Sequence, residues 1–353
     1  MGELLLIWSV SIILSAAALG WMVALILARV LRERTEQRRE RDRRLIQQGL
    51  LDIMNGAGDA VGRLRGVRHR ARLMAEALLE ILSLVRGEER ERLISALHAF
   101  GVDEIFRRRL SRGSVAGRLA AAEALAIFPG EAAVTALREA LAHAHSAELR
   151  VGIMHSLIEL SAPPELDEVL TDLAGRQTSD SLLYLPVIGQ LVTERPWAAL
   201  QSFGDTRLSG EARVILAEAL GASGDFRALR PLCLAARAPE IELRIAAIRG
   251  LAALRHPAAE ATIVSALADE VWMVRSAACE AAGRIGLRSA VPALADRLED
   301  PVWWVRFRAG EALGALGDTG RAHLRSMAIS GGDLSRRAAS LALAERGLTV
   351  EAA

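Results

Sequence analysis

The chain has 353 residues, enough for two ordinary domains or for one repeat array with an appendage. Apolar residues make up 52% of it and aromatic residues 4%, so its core must consist of Ala, Leu, Val and Ile, which favours helices over sheets. The net charge is +1, and residues 45–353 hold 36 Arg against 38 acidic residues, which leaves no positive excess for a phosphate backbone and excludes nucleic acid as a general partner.

The first predicted element is an apolar helix at the N-terminus. No charged residue occurs from Leu4 to Ala28, a length that can cross about 30 Å of hydrocarbon. Glu3 precedes this run and the Arg residues follow it, which favours an uncleaved anchor over a cleaved signal peptide. We therefore predict one transmembrane helix over residues 1–28, with residues 4–28 in the bilayer of a bacterial inner membrane. By the positive-inside rule the N-terminus lies outside and the rest of the chain in the cytoplasm.

Residues 29–66 are predicted to form a charged helix followed by a glycine-containing linker. Arg and Glu alternate over residues 29–44 at spacings that allow ion pairs on a continuing helix. This segment sets the topology and is solvated; contact of residues 29–44 with anionic lipid headgroups is the alternative. Residues 67–114 are predicted to be a helical region that caps the array after it.

From residue 115 onwards the sequence repeats. An Arg recurs about every 31 residues, or at twice that interval, and each one begins an Ala-rich segment such as "RIAAIRGLAAL". The recurring residues are Arg118, Arg150, Arg213, Arg244, Arg275, Arg306 and Arg337. A second helix follows each segment after a short turn, and Asp225 and Asp318 are predicted to cap two of these helices. Two helices with small residues on one face bury that face only by stacking, so residues 115–353 are predicted to form an all-α solenoid.

Two segments carry a resemblance to a known family. "DPVWWVRFRAGEALGALGD" (300–318) and "DEVWMVRSAACEAAGRIG" (269–286) resemble HEAT repeats, in particular the short phycobilisome-lyase type. The resemblance is strong over 211–340, weaker over 115–180 and poor over 181–210, where Pro186 predicts a bend and Pro196 the start of a new helix. It implies a scaffold that binds a protein through the surface of the solenoid. A membrane-tethered enzyme of the bilin lyase or isomerase type is the alternative.

The sequence predicts no catalytic, cofactor or metal site. HEAT-type hydroxylases carry His-Glu dipeptides, and none of the seven His residues precedes a Glu. His143 and His145 are two residues apart and do not share a helix face, which argues against a metal site. Cys233 and Cys279 lie in apolar helical segments and are predicted to be small buried residues. We therefore expect a protein that is not an enzyme.

Two groups of residues are candidates for partner binding. Trp272 and Trp303 each lie three residues before a recurring Arg, with Trp304 and Arg308 beside the second. The Trp residues either pack over the turn between repeats or form an exposed interface hot spot. The other group is a basic cluster, which is either a solvated helix end or a docking patch for an acidic partner. It consists of Arg107, Arg108 and Arg109.

The recurring Arg residues are predicted to be structural. Asp269, Asp300 and Asp333 lie four to six residues before a recurring Arg, and we expect acids of the same or a neighbouring repeat to pair with these Arg side chains. Taken together, the patterns predict a membrane-anchored cytoplasmic scaffold or adaptor. Its expected partner is a protein, such as a membrane enzyme or a transport complex.

Overall fold

The structure is a computed structural model that describes residues 85–348 except 100, 176–180 and 206. Before residue 85 it describes 21–22, 29, 36–37, 40–49, 51–52, 77–78 and 80–81. All regular secondary structure in these residues is helical. The all-α prediction is therefore confirmed for the described part of the chain.

The chain forms two compact units, Met1–Ala162 and Pro163–Ala353. The helices of the first unit with defined bounds are α1 (Glu88–Ala99), α2 (Val102–Leu110), α3 (Val115–Leu125), α4 (Glu131–Ala142) and α5 (Ala147–Glu159). They pack around buried apolar side chains such as Phe106, Leu125 and Leu137. The division at residue 162 falls inside the predicted array, and the predicted boundaries at residues 28, 66 and 114 stay predictions.

Short and long helices alternate in the second unit from α6 to α15, and α16 and α17 are both long. Its helices are α6 (Leu166–Ala174), α7 (Ser181–Glu194), α8 (Pro196–Gly204), α9 (Gly210–Ala222), α10 (Leu229–Ala235), α11 (Ile241–Leu254), α12 (Glu260–Ala266), α13 (Trp272–Ile285), α14 (Val291–Asp296), α15 (Trp303–Ala315), α16 (Gly317–Ser330) and α17 (Asp333–Ala344). Helices α9, α11, α13 and α15 begin at intervals of 31 residues, and each packs on the next one of the set. The predicted repeat of helix pairs is therefore confirmed in this unit.

Glycine lets these long helices approach closely, as the small residues of the repeat predict. A Cβ atom added to Gly221 of α9 would lie 2.2 Å from the Cα of Gly250 in α11, closer than any non-bonded contact. The approach is also tight further along, where a Cβ on Gly283 would lie 3.0 Å from the Cα of Ala312. The backbones of neighbouring repeats therefore touch where a side chain would hold them apart.

The two predicted caps differ in outcome. Asp225 accepts a hydrogen bond of 2.9 Å from the Arg227 N–H and caps the 3₁₀ turn Phe226–Ala228 that leads into α10, which confirms its role. Asp318 does not cap a helix, and that prediction is wrong. Because α16 begins at Gly317, Asp318 is its second residue, and its fully exposed side chain lies 3.8 Å from Arg321.

The irregular segment is a pair of helices. Pro196 is the first residue of α8, as predicted, where its missing N–H is not needed. Pro186 lies inside α7, and the bend predicted there stays a prediction. Tyr184 is fully buried and donates a hydrogen bond of 2.6 Å to Asp172 Oδ2, which joins α7 to α6.

The predicted membrane localisation is contradicted. Within the residues that the structure describes, no helix is both long and apolar enough to span a bilayer. Helices such as Ile241–Leu254 have 14 residues, which extend about 21 Å at 1.5 Å per residue, against about 30 Å of hydrocarbon. The predicted anchor over residues 1–28 lies outside the described residues except for Trp21 and Met22. The predicted lipid contacts of residues 4–28 and 29–44 have no support, and Arg43 and Arg44 pair with Glu80 and Glu40.

Candidate protein-binding surface

Three recurring Arg residues hold the first turns of α11, α13 and α15. Each guanidinium donates from Nη1 to two carbonyl oxygens of the loop before its own helix. For Arg275 these are Asp269 at 2.9 Å and Glu270 at 3.0 Å. For Arg306 they are Asp300 at 2.7 Å and Pro301 at 3.0 Å, and Arg244 makes the equivalent pair of contacts. The side chain thus ties each loop to the helix that follows it.

Two of these Arg residues also pair with an acid of the next repeat, 25 residues on. Arg275 donates to Asp300 from Nε at 2.7 Å and from Nη2 at 3.0 Å. The side chains are nearly buried, at 11% and 1% exposure. Arg244 lies 3.1 Å from Asp269 in the same way. The predicted pairing with acids is therefore found at Asp269 and Asp300. Each of these carboxylates also accepts a hydrogen bond from a backbone N–H of its own loop.

The electrostatic state of Asp300 follows from its surroundings. Burial acts to raise the pKa of this carboxyl, but the hydrogen bonds from Arg275 and from the Val302 N–H outweigh it. The net result is a pKa below the ordinary value, so the carboxylate is charged at neutral pH. The pair Arg275–Asp300 is thus a buried ion pair with its hydrogen-bonding groups satisfied.

We call the recurring Arg residues at the starts of the long helices the ladder. Its last member is not the predicted Arg337. Arg336, and not Arg337, occupies the equivalent position in α17, donating to the Gly331 carbonyl at 3.1 Å. Helix α17 begins 30 residues after α15, one fewer than the interval of 31 between the earlier long helices, so the register shifts and Arg337 is exposed. Asp333 lies 3.8 Å from Arg336 in its own helix, and among the described residues it has no ion pair with a neighbouring repeat.

The remaining recurring Arg residues have loop carbonyls or an aromatic ring as neighbours. In the first unit Arg118 donates to the Leu110 carbonyl at 2.6 Å, and Arg150 donates to the carbonyls of Leu141 and Ala144. In the second unit the Arg213 guanidinium lies 5.9 Å from the centre of the Phe203 ring. These residues fit the structural role that the repeat predicts.

An aromatic cluster lies at the start of α15. The Trp303 and Trp304 rings are 4.6 Å apart edge to face, and Phe307 stacks on Trp303 at 5.1 Å. Arg308 lies 5.9 Å from the Phe307 ring and donates to Glu311 at 2.8 Å. The predicted neighbours Trp303, Trp304 and Arg308 thus lie together. Sequence reasoning missed Phe307, although its spacing of three and four residues from the Trp residues places all three on one helix face.

This cluster belongs to a larger exposed surface on the second unit. Ile241, Trp272 and Trp303 are the first residues of α11, α13 and α15, whereas Met273, Trp304 and Leu334 are the second residues of α13, α15 and α17. We call these six side chains the apolar stripe. Their exposed fractions lie between 37% and 52%. Trp272 and Trp303 are therefore only partly covered, at 38% and 47% exposure, and their role as an interface hot spot stays a prediction.

The basic cluster is largely neutralised by its own helix. Arg107 lies 3.0 Å from Asp103 and 2.8 Å from Glu104, and Arg108 lies 2.7 Å from Glu104. The Arg109 guanidinium packs against the backbone of the following turn, at Gly113 and Gly117. These contacts favour the solvated helix end over a docking patch for an acidic partner.

The His and Cys side chains considered as candidate ligands do not form a cluster in the described residues. Among the described residues, no three His, Cys, Asp or Glu side chains lie close enough to hold a metal ion together. His143 Nδ1 lies 2.8 Å from the Glu139 carbonyl oxygen of its own helix. Cys279 is buried, which raises the pKa of its thiol to about 12, whereas Cys233 is only half-buried. That the chain binds no metal or cofactor stays a prediction.

Solved structures with a similar course of the chain include karyopherin Kap121p. Kap121p matches with a TM-score of 0.49 and 13% identity, over 81% of this chain and 41% of the other. Kap121p bound to the SUMO protease Ulp1p gives 0.48 and 14%, over 85% and 44%. Human deoxyhypusine hydroxylase in complex with glycerol gives 0.29 and 19%, over 70% and 98%. The chain thus spans about two fifths of the karyopherins, at 41% and 44%, and these TM-scores below 0.5 assign it no function.

Sequence comparison identifies the repeats. No curated protein matches the chain. Residues 229–314 match the family model of HEAT repeats, and residues 117–143 match that of the PBS lyase HEAT-like repeat. The first match lies in the second unit and covers the helices whose Arg residues form the ladder, and the second match lies in the first unit. HEAT-type repeats are therefore confirmed in both units, whereas the phycobilisome-lyase type predicted from residues 269–286 and 300–318 is matched at 117–143 instead.

Proposed function

We propose that the protein is a non-catalytic scaffold that binds another protein through the apolar stripe. The observation that carries this proposal is the exposure of three Trp side chains at the N-terminal ends of two successive long helices. Exposed apolar residues that cluster, rather than scatter, are typical of interaction surfaces. Trp is also enriched among the residues that dominate binding energy, because one side chain buries a large area.

The ladder supports the proposal by holding the stripe in place. Arg275 and Arg306 lie three residues after Trp272 and Trp303, and each ties the first turn of its helix to the preceding loop. The helix ends that carry the Trp residues are thereby fixed before a partner arrives. Fixing them in advance lowers the entropy lost on binding and so favours affinity.

Site-specific cross-linking tests the proposal. A photoreactive amino acid replaces Trp304, and in a matched chain it replaces Leu234, which is exposed but lies on α10 outside the stripe. We expect a protein adduct of defined mass from position 304 in the native cells, and none of that mass from position 234. The adduct should disappear when Trp303→Ser is added. Identical adduct patterns from the two positions contradict the proposal.

The absence of catalysis stays a prediction, and so does the alternative of a lyase or isomerase. Assays on the purified chain with bilin substrates address the alternative directly. We expect no turnover and no bound chromophore. Turnover that survives Trp303→Ser and Trp304→Ser would replace the scaffold with an enzyme as the main function.

A further inference from the structure

The apolar stripe has a regular period set by helix packing. It presents side chains at the start of α11, α13, α15 and α17, whose neighbours pack on one another. Packed helices have axes about 8–10 Å apart. A Cβ atom added to Gly283 would meet Ala312, and one added to Gly310 would meet the Ala342 side chain, so α13, α15 and α17 are closely packed neighbours of this kind. The anchoring side chains therefore recur at about 8–10 Å along the stripe.

This period selects one conformation for a polypeptide that lies along the stripe. A polyproline II helix returns to the same face every third residue, a distance of about 9.3 Å. Residues on one face of a β-strand recur at about 6.8 Å, or at twice that value. An α-helix returns to nearly the same face after seven residues, about 10.5 Å. The polyproline II period is the one that falls inside the range of helix spacings.

The charged side chains beside the stripe indicate the charge of the segment that would bind it. Glu240, Glu242 and Glu270 are exposed next to Ile241 and Trp272, and none of them takes part in an ion pair among the described residues. At α15 Arg308 lies between Glu280 and Glu311. Arg306 of the same helix is held by the carbonyls of Asp300 and Pro301. At the starts of α11 and α13 the three exposed carboxylates outnumber the exposed Arg237, so this part of the stripe is acidic. Its far end is more balanced, because Arg337 is exposed on α17.

We infer that the stripe binds an extended, polyproline II-like segment of a partner protein, with an apolar side chain at every third position and basic residues between them. The basic residues lie over α11 and α13, where the carboxylates are. This inference rests on the proposed function and specifies the chemistry of the partner. Each apolar side chain of the segment contacts one helix end of the stripe, and the intervening Arg or Lys side chains reach the carboxylates at its edge.

Defined peptides test the inference on the full-length chain. The probe is a fluorescent peptide of about four Leu-Pro-Arg triplets, which favours polyproline II and carries Leu at every third position. One comparison peptide replaces Arg with Glu, and another places the same Leu and Arg residues on a helix-forming Ala background with Leu seven residues apart. Fluorescence anisotropy gives the dissociation constants. We expect the Leu-Pro-Arg peptide to bind at least about tenfold more tightly than either.

Variants of the chain show where the peptide lies. Trp303→Ser with Trp304→Ser should weaken binding of the Leu-Pro-Arg peptide at least about tenfold, and Glu240→Lys with Glu270→Lys should reverse the preference for Arg over Glu. Leu234→Ser should change neither. Equal binding of the three peptides, tighter binding of the helical one, or binding that survives the Trp changes overturns the inference. If position 304 still yields its cross-linked adduct in that case, the scaffold proposal stands; if the adduct is absent as well, both fall.

Discussion

Replacing Arg275 with Ala should destabilise the second unit more than the same change at Arg306. Both side chains donate to two loop carbonyls, so both variants lose those hydrogen bonds, a loss of about 1–3 kcal/mol. Only Arg275 also pairs with the buried Asp300, because the residue 25 positions after Arg306 is Gly331. Removing one partner of a buried ion pair costs about 3–5 kcal/mol. Because the loss of the loop hydrogen bonds is common to both variants, Arg275→Ala should cost up to about 3–5 kcal/mol more than Arg306→Ala, and less to the extent that Arg297, 3.8 Å from Asp300, still stabilises the carboxylate.

The pH dependence gives the same comparison a second readout. The pKa of Asp300 is lowered in the folded protein, so its contribution is fully present above the unfolded pKa of about 4 and is lost as the pH falls through the folded value. In Arg275→Ala the hydrogen bonds from Arg275 are gone, and burial, which raises the pKa of Asp300, is opposed only by the Val302 N–H and by Arg297 at 3.8 Å. The extra loss of stability should therefore be large at pH 7 and should shrink as the pH falls below about 4.

Urea denaturation followed by circular dichroism measures these differences. The double variant Arg275→Ala with Asp300→Ala is the control, since it removes the stranded carboxylate and should cost less than the two single changes added together. Free energies of unfolding of Arg275→Ala and Arg306→Ala that differ by less than about 0.5 kcal/mol at pH 7 contradict this prediction. A difference that is the same at acidic and neutral pH also contradicts it.

Two further predictions concern the packing and the thiols. Gly221→Ala should destabilise the chain by about 1–3 kcal/mol, because the new Cβ would meet the Gly250 backbone. Gly189→Ala should stabilise it by about 0.5–1 kcal/mol, because Gly189 lies in a helix and nothing is within 4 Å of the new Cβ. Thermal melting that moves both variants in the same direction contradicts this prediction. Alkylation of the native protein should modify the half-buried Cys233 first and Cys279 only on unfolding. Burial raises the pKa of the Cys279 thiol to about 12 and blocks the access of the reagent. Equal rates of modification, measured by mass spectrometry, contradict this prediction.

The repeat was predictable because its period is set by covalent spacing. A recurring Arg before an Ala-rich segment marks the first turn of the long helix in each repeat. The small residues of that segment predict the close approach of Gly221 and Gly250. The acid partner of Arg275 was harder to identify. It requires the rule that the residue 25 positions on is Asp, which holds at Arg244 and Arg275 and fails at Arg306.

Other features depend on details that a fixed period does not contain. An interval of 30 instead of 31 residues between the starts of α15 and α17 moves the equivalent position from Arg337 to Arg336. The exposure of Trp272 and Trp303 depends on whether the neighbouring repeat covers them, and periodicity gives only their equivalence. Hydropathy over residues 4–28 predicted a membrane localisation, whereas no helix of the described residues is long and apolar enough to span a bilayer. Apart from Trp21 and Met22, residues 4–28 lie outside the described part of the chain.

Titration of the cross-linked partner against two variants tests the central claim most directly. The partner captured at position 304, once purified, is titrated against the wild-type chain, the double variant Trp303→Ser with Trp304→Ser, and the Leu234→Ser control. Because the loss of one hot-spot residue costs at least about 2 kcal/mol and the losses of neighbouring hot spots do not add fully, the double variant should raise Kd at least about thirtyfold, while its Tm and the Kd of the control stay near the wild-type values. An unchanged Kd for the double variant, with the fold intact, contradicts the account that the apolar stripe is the binding surface.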